Sequence, residues 1–323
     1  MRKCVMVTWI ALVAGGAVAG PHAALGPVPL VEGQAKELGG VRWQRGFDRA
    51  AASARASNKP LLVLFDEVPG CHTCVSFGAE VLTDALLVEA AETLFVPVAV
   101  FNNTTGDDAK TLESFGEPAW NNPVIRAVDP STRKDLGPRV SDGYSVVAVA
   151  SSMAAALKTG GQEVPGYLAL LSAGATGRTE KAVFAMYCFW EGEARLGGLD
   201  GVVATSAGFL DGKECVEVEF DPERLAFKDL LSAAKRMDCL HGVYTSTDAQ
   251  QGEARLRVGS LAKRAPTAMK VSASDTKFRL SNSEYSPVPM SDTQACRVNG
   301  ALATGEDAKR FLSPRQLEKL RAE

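Results

Sequence analysis

Two groups of residues carry the side chains for sulfur chemistry. The first is Cys71-His72-Thr73-Cys74, which follows the turn-forming Val68-Pro69-Gly70. Two intervening residues put the second sulfur one helical turn from the first, within disulfide reach. If Cys71 opens a helix, the free N–H groups and positive dipole end there favour its thiolate. His72 adds a group able to carry positive charge beside it. Cys71 is therefore the expected attacking sulfur and Cys74 the resolving one. A static bridge or half a zinc site would use the same pair. Zinc needs more ligands, and the only histidines are His22, His72 and His241. The second group is Met186-Tyr187-Cys188-Phe189-Trp190. A cysteine at a strand-to-helix junction can again feel a helix N-terminus. The two rings after it could wall an apolar pocket for a small methyl-bearing group, although all three side chains could equally be core.

Each group needs elements to hold it. Trp43, Phe47, Ala50, Ala51 and Ala54 recur at helical spacing and predict a helix from Val41 to Ser57, ended by Asn58-Lys59-Pro60. Leu61 to Phe65 is a continuous apolar run of strand length, with a loop from Asp66 to Gly70 before Cys71. Further strands are expected at Leu94 to Val100 and, after Asn121-Asn122-Pro123, at Val124 to Val128; a helix follows at Val146 to Leu157. Ser172 to Gly177 has linker composition. A strand then runs from Ala182 into Cys188. Others cover Val202 to Phe209 and Cys215 to Phe220, and a helix covers Asp221 to Met237. Ser291 is a plausible N-cap for one late helix. Phe311-Leu312-Ser313-Pro314-Arg315 reads as a docking element or a solvated tail.

The 323 residues favour two domains. The expected division is a signal peptide at 1–19, a flexible leader at 20–40, one domain at 41–172, a second at 180–255 and an extension at 256–323. Arg2 and Lys3 precede an apolar run from Val5 to Ala19 that ends in Ala17-Val18-Ala19, which predicts an exported protein, periplasmic or secreted. Cys4 would leave with that segment. No later segment is long and apolar enough to insert in a membrane. A net charge of −3 gives no electrostatic reason to expect nucleic acid. No cofactor and no metal are expected.

Around its CxxC the chain resembles the thioredoxin superfamily. The residues that carry the resemblance are Cys71, Cys74, the strand ending at Phe65, and Pro123, over about 41–172. The resemblance implies an α/β fold in which Pro123 follows a cis peptide bond and packs against the two cysteines. The usual tryptophan-glycine-proline run around the first cysteine is here Val68-Pro69-Gly70-Cys71-His72-Thr73.

The region around Cys188 resembles the A-type peptide methionine sulfoxide reductases. Cys188, Phe189, Trp190 and Glu193 match the signature Gly-Cys-Phe-Trp with its following Glu. Gly201-Val202, Thr205, Gly208, Phe209 and Gly212 match a second block. Glu214, Val216-Glu217-Val218, Phe220-Asp221-Pro222, Phe227 and Leu230-Leu231 match a third. The match spans about 180–245 and implies an α/β (α+β) unit with a small mixed sheet. It implies that Cys188 attacks the sulfoxide sulfur, that Glu214 protonates the departing oxygen, and that Phe189 and Trp190 hold the substrate methyl. Tyr187 stands in place of a glycine, Phe209 in place of a tyrosine, and the segment between Gly212 and Glu214 is shortened, losing an oxygen-binding tyrosine. Tyr244 is the candidate surviving hydroxyl.

Together these readings predict a thiol-dependent oxidoreductase. It would reduce methionine sulfoxide, peptide-bound rather than free, at Cys188, with Cys71 and Cys74 as built-in reductant. Attack on a sulfoxide leaves a sulfenic acid, which needs a second thiol. Cys239 ranks first for that role and Cys296, expected on a late helix that could lie on a mobile tail, second. Cys215 ranks last, because its neighbour Glu214 should point to the other face of the strand. The expected partners are oxidised methionine in peptides or proteins and a thiol-disulfide electron donor. The alternative is a thiol-disulfide exchange protein whose second domain only binds partners.

Overall fold

The computed structural model describes residues 23–175 and 177–322. The expected signal peptide at 1–19 lies outside them. The expected α/β class is what the chain forms, in two sheets.

The first unit contains β1 (Gln44–Arg45), α1 (Phe47–Ser57), β2 (Leu61–Asp66), α2 (His72–Glu80), α3 (Ala85–Leu94), β3 (Val96–Phe101), α4 (Asp107–Ser114), β4 (Val124–Val128), α5 (Val146–Thr159) and α6 (Gly166–Ser172). Its sheet runs in the order β1-β3-β2-β4, with β2 parallel to β3 and antiparallel to β4. Both faces of β2 are covered, which is why its sequence is uniformly apolar. Leu62 and Leu64 pack toward Phe77, Leu87, Val149 and Met153. Leu61, Val63 and Phe65 pack toward Phe47, Ala50 and Ala54 of α1.

Two expectations fail here for the same physical reason, close backbone contact in place of local periodicity. The helix expected from Val41 begins only at Phe47, because Gln44 and Arg45 pair with Val98 and Ala99, and Gly46 turns the chain at φ 86°. Residues 23–40, expected as a flexible leader, instead pack down. The N–H groups of Leu25 and Val28 donate to the carbonyls of Met290 and Thr83. Leu38 is buried, and Glu37 accepts from the Gly70 N–H at 2.8 Å. A Cβ at Gly78 would stand 2.3 Å from the Lys36 carbonyl oxygen, so the glycine lets leader and α2 touch.

The second unit contains β5 (Glu180–Met186), α7 (Phe189–Gly197), β6 (Val202–Leu210), β7 (Lys213–Phe220), α8 (Phe227–Lys235), β8 (Leu240–Thr245), α9 (Asp248–Val258), β9 (Ala262–Arg264), β10 (Lys270–Val271), α10 (Phe278–Ser281), α11 (Asp292–Thr304) and α12 (Pro314–Ala322). The sheet order is β10-β6-β7-β5-β8-β9, antiparallel except for β8 with β9. One face carries Phe184, Met186, Val216 and Val218 against Phe189 and Leu196 of α7 and Leu230 and Leu231 of α8. The other carries Val183, Ala185, Cys215 and Tyr244 against Met269. The helix expected from Asp221 starts at Phe227, because the Asp221 carboxylate instead accepts from the Glu223 N–H and closes a turn. Ser291 caps α11 in a reciprocal capping box with Gln294.

The sheet does not stop at the expected boundary at 255. Residues 262–271 supply both edge strands, β9 on one side and β10 on the other. Beyond them, Lys277 enters the core, where its ammonium donates to Glu193 of α7 at 3.0 Å and to Thr205. Both charged side chains are buried. The two units meet through the C-terminal region. The Arg315 N–H donates to Glu89 and its guanidinium to Glu92, both on α3. Leu312 is buried in a small C-terminal core.

Candidate active site

Two thiol centres are built, each with a cysteine at the N-cap of a helix that follows a strand. In the first, Cys71 caps α2 and is exposed, while Cys74 is buried; the sulfurs lie 3.4 Å apart. The Cys74 backbone N–H, the Cys74 thiol and the Thr73 N–H all stabilise the Cys71 thiolate and lower its pKa. Cys74 is pushed the other way, by burial first and by the neighbouring Asp66 next. Its thiol donates to Asn122 Oδ1 at 2.9 Å, and the bond from Asn122 to Pro123 is cis. The shifts run in the direction that attack by Cys71 and resolution by Cys74 would need: the exposed thiol is lowered and the buried one raised.

Asp66 was not among the sequence candidates. It ends β2 fully buried, and burial raises its pKa to about 7. One of its oxygens has no partner among the described residues. The available signal was a charged residue directly continuing an apolar run, which reads more simply as the start of a loop. Glu67, Cys71 and Cys74 also bring one ligand atom each to within 4.8 Å of one another, so these three could grip a metal ion with the same atoms that thiol exchange uses.

In the second centre Cys188 caps α7 and is exposed. Glu214 reaches it from β7: the carboxylate accepts from the Phe189 N–H, in the first turn of α7, at 3.3 Å. Cys239, half-buried just before β8, is the second sulfur at this end. Its carbonyl accepts from the Tyr187 N–H at 2.9 Å. Burial first, and the Cys188 charge next, raise the Cys239 pKa. Phe189 is buried, Trp190 and Phe209 are partly exposed, and the Phe189 ring lies 5.8 Å from Trp190 and 5.6 Å from Phe209.

Three sequence candidates do not join this group. Cys296 is on a late helix, as expected, but that helix packs down and is not a mobile tail. It is buried in α11 against Gly197, at the far end of α7, roughly 13 Å along the helix from Cys188 at 1.5 Å per residue. Cys215 is buried on the opposite face, as the strand alternation predicts. Tyr244 lies on that opposite face too, with its hydroxyl donating to Asp211 at 3.3 Å, so it offers nothing to a substrate at Cys188. Tyr187 is 75% exposed and stacks on His241 at 4.4 Å.

Residues 42–130 match the thioredoxin-like family. The chain is similar to peptide methionine sulfoxide reductase A5 of Oryza sativa subsp. japonica, 41% identical over 73 residues, covering 19% of this chain and 29% of that protein. It is also similar to peptide methionine sulfoxide reductase MsrA of Geobacter metallireducens, 37% identical over 73 residues, covering 17% and 45%. The chain thus spans less than half the length of these curated relatives. A solved DsbH oxidoreductase is 17% identical with a TM-score of 0.31, covering 36% of this chain and 85% of that one. Among the described residues no helix is long and apolar enough to cross a membrane.

Proposed function

We propose that this thiol-dependent oxidoreductase, a thioredoxin-like domain joined to a unit of the A-type peptide methionine sulfoxide reductase kind, reduces methionine sulfoxide at Cys188. The observation that carries the reading is the meeting of Cys188, Glu214 and Cys239 at the N-terminus of α7. The Cys188 thiolate attacks the sulfoxide sulfur while Glu214 gives a proton to its oxygen. The bond from that sulfur to oxygen breaks, methionine leaves as the thioether, and Cys188 holds the oxygen as a sulfenic acid. The Cys239 thiol displaces water from the sulfenic acid, forming a Cys188–Cys239 disulfide. Cys71 attacks that disulfide and Cys74 releases the mixed intermediate, moving the oxidation to the Cys71–Cys74 pair. An external thiol donor closes the cycle. The exposure of Cys188 suits methionine sulfoxide carried on a peptide or protein surface. The expected signal peptide would place this repair outside the cytoplasm.

Disulfide mapping after one equivalent of a methionine-sulfoxide peptide tests the sequence of steps. In Cys71→Ser protein a Cys188–Cys239 disulfide should accumulate together with one equivalent of reduced peptide. Equal turnover by the parent protein and Cys188→Ser would overturn the reading. It would leave a thiol-disulfide exchange protein, because the Cys71 centre is complete without the second unit.

A further inference from the structure

Residues 275–279 lie beyond every block that the second unit shares with the reductases, yet four of them grip the helix headed by Cys188. Asp275 Oδ1 accepts from the Trp190 indole N–H at 3.1 Å. The Phe278 ring stacks on the Trp190 ring at 4.1 Å, with 13° between planes. Arg279 pairs with Glu191 at 2.9 Å. The Lys277 N–H donates to Glu193 at 2.7 Å and its ammonium to the other oxygen of that carboxylate. The fifth residue, Thr276, fixes the segment to β6: its buried hydroxyl accepts from the Ala207 N–H at 3.0 Å. Ala207 lies two residues before Phe209, whose ring faces Phe189. Trp190 is therefore held in plane on one face and in rotation at its indole nitrogen, both by residues from one short segment.

Resting on the reading of Cys188 as a sulfoxide-attacking thiol, we propose that Asp275 and Phe278 are specificity-determining positioning residues. They lock Trp190 so that its ring, with Phe189 and Phe209, walls a slot sized for the sulfur's methyl group. Trp190, at a helix start and partly exposed, would sample several rotamers without these contacts. A fixed wall rejects a longer sulfur substituent, while a mobile one gives way. The missing oxygen-binding tyrosine makes this wall more important, since fewer contacts remain to orient the sulfoxide.

The test uses the full chain with methionine-sulfoxide and ethionine-sulfoxide peptides. Phe278→Leu and Asp275→Ala should each raise KM for the methyl substrate about tenfold with kcat nearly unchanged, and should lower the methyl-over-ethyl preference by a similar factor. Phe278→Tyr and Asp275→Asn, which keep a ring and a carbonyl acceptor, should restore the parent values. Unchanged KM and preference in Phe278→Leu and Asp275→Ala, or a loss confined to kcat, would overturn the proposal. If the parent protein reduces neither substrate, the reading of Cys188 fails instead. The clamp is then judged by the Trp190 emission, taken as the difference from Trp190→Phe. A red shift in Phe278→Leu supports the clamp and an unchanged spectrum overturns it.

Discussion

The two thiol centres begin alike and are finished differently. Each places a cysteine at the N-cap of a helix after a buried strand. In the first, most of what distinguishes the two sulfurs lies within one helical turn and the adjoining strand end: Thr73 and Cys74 supply the N–H groups and Asp66 ends β2, while Asn122, before the cis Pro123, accepts from the Cys74 thiol. In the second, the Phe189 N–H goes to Glu214 from β7, and the partner sulfur arrives on the approach to β8. A mostly local centre needs its loop, its helix, the end of β2 and one approaching loop to be correct. An assembled centre needs three strands and a helix in register. The first arrangement suits exchange with many disulfides, the second suits a single reaction that requires a proton at one atom.

Removing the carboxylate proposed as proton donor should separate the centres most sharply. Glu214→Gln should lower methionine-sulfoxide turnover by about 10²- to 10⁴-fold and leave insulin reduction by Cys71 unaltered. Equal losses in both assays would mean that the carboxylate serves the fold and not the second centre. Next in size is the buried pair of Lys277 and Glu193. Lys277→Ala strands a carboxylate with no exposed surface, and a loss of about 3–5 kcal/mol is expected in urea unfolding. Cys71 alkylation should stay as fast as in the parent, because the pair belongs to the other unit.

The smallest effect concerns the first centre. The Asp66 pKa rises from 3.8 unfolded to about 7 folded, so the folded state holds the proton more tightly. Between those pH values the folded chain binds more protons than the unfolded one. Stability from this residue is therefore greatest below pH 3.8 and falls until pH passes 7. Asp66→Asn should raise the unfolding free energy from urea titration at pH 8 by on the order of a few kcal/mol and leave it unchanged near pH 3.5. A stabilisation equal at both pH values would show that folding does not raise the Asp66 pKa.

The same contrast explains what could be read from the sequence. The first centre was legible because spacing fixes it: a CxxC after an apolar run, and Pro123 before the next strand. Asp66 escaped because burial is a tertiary property, and an aspartate after Phe65 looks like the first residue of a turn. In the second unit Cys188 and Glu214 were marked by matched blocks. Tyr244 was misassigned because the face it points to is set by pairing with β5, whose register shifts at Ala185 and Met186. The late helix of Cys296 was legible from its cap but its burial was not, because a helix that packs across long sequence separation leaves no periodic signature of its target. Asp275 and Phe278 gave no signal at all, as single side chains in an irregular segment.

The run from β9 to β10 has one more consequence. It caps both rims of the second sheet with strands of three and two residues. A sheet ending at β6 and β8 would expose two long rows of unpaired backbone groups, ready templates for another copy of the chain. Strands this short offer a neighbour almost nothing to zip onto. The same extension also occupies backbone carbonyls of β6 beyond β10, with the Ser272 N–H donating to Ala207 and the Lys277 ammonium to Thr205, so little of that rim is left open to pairing.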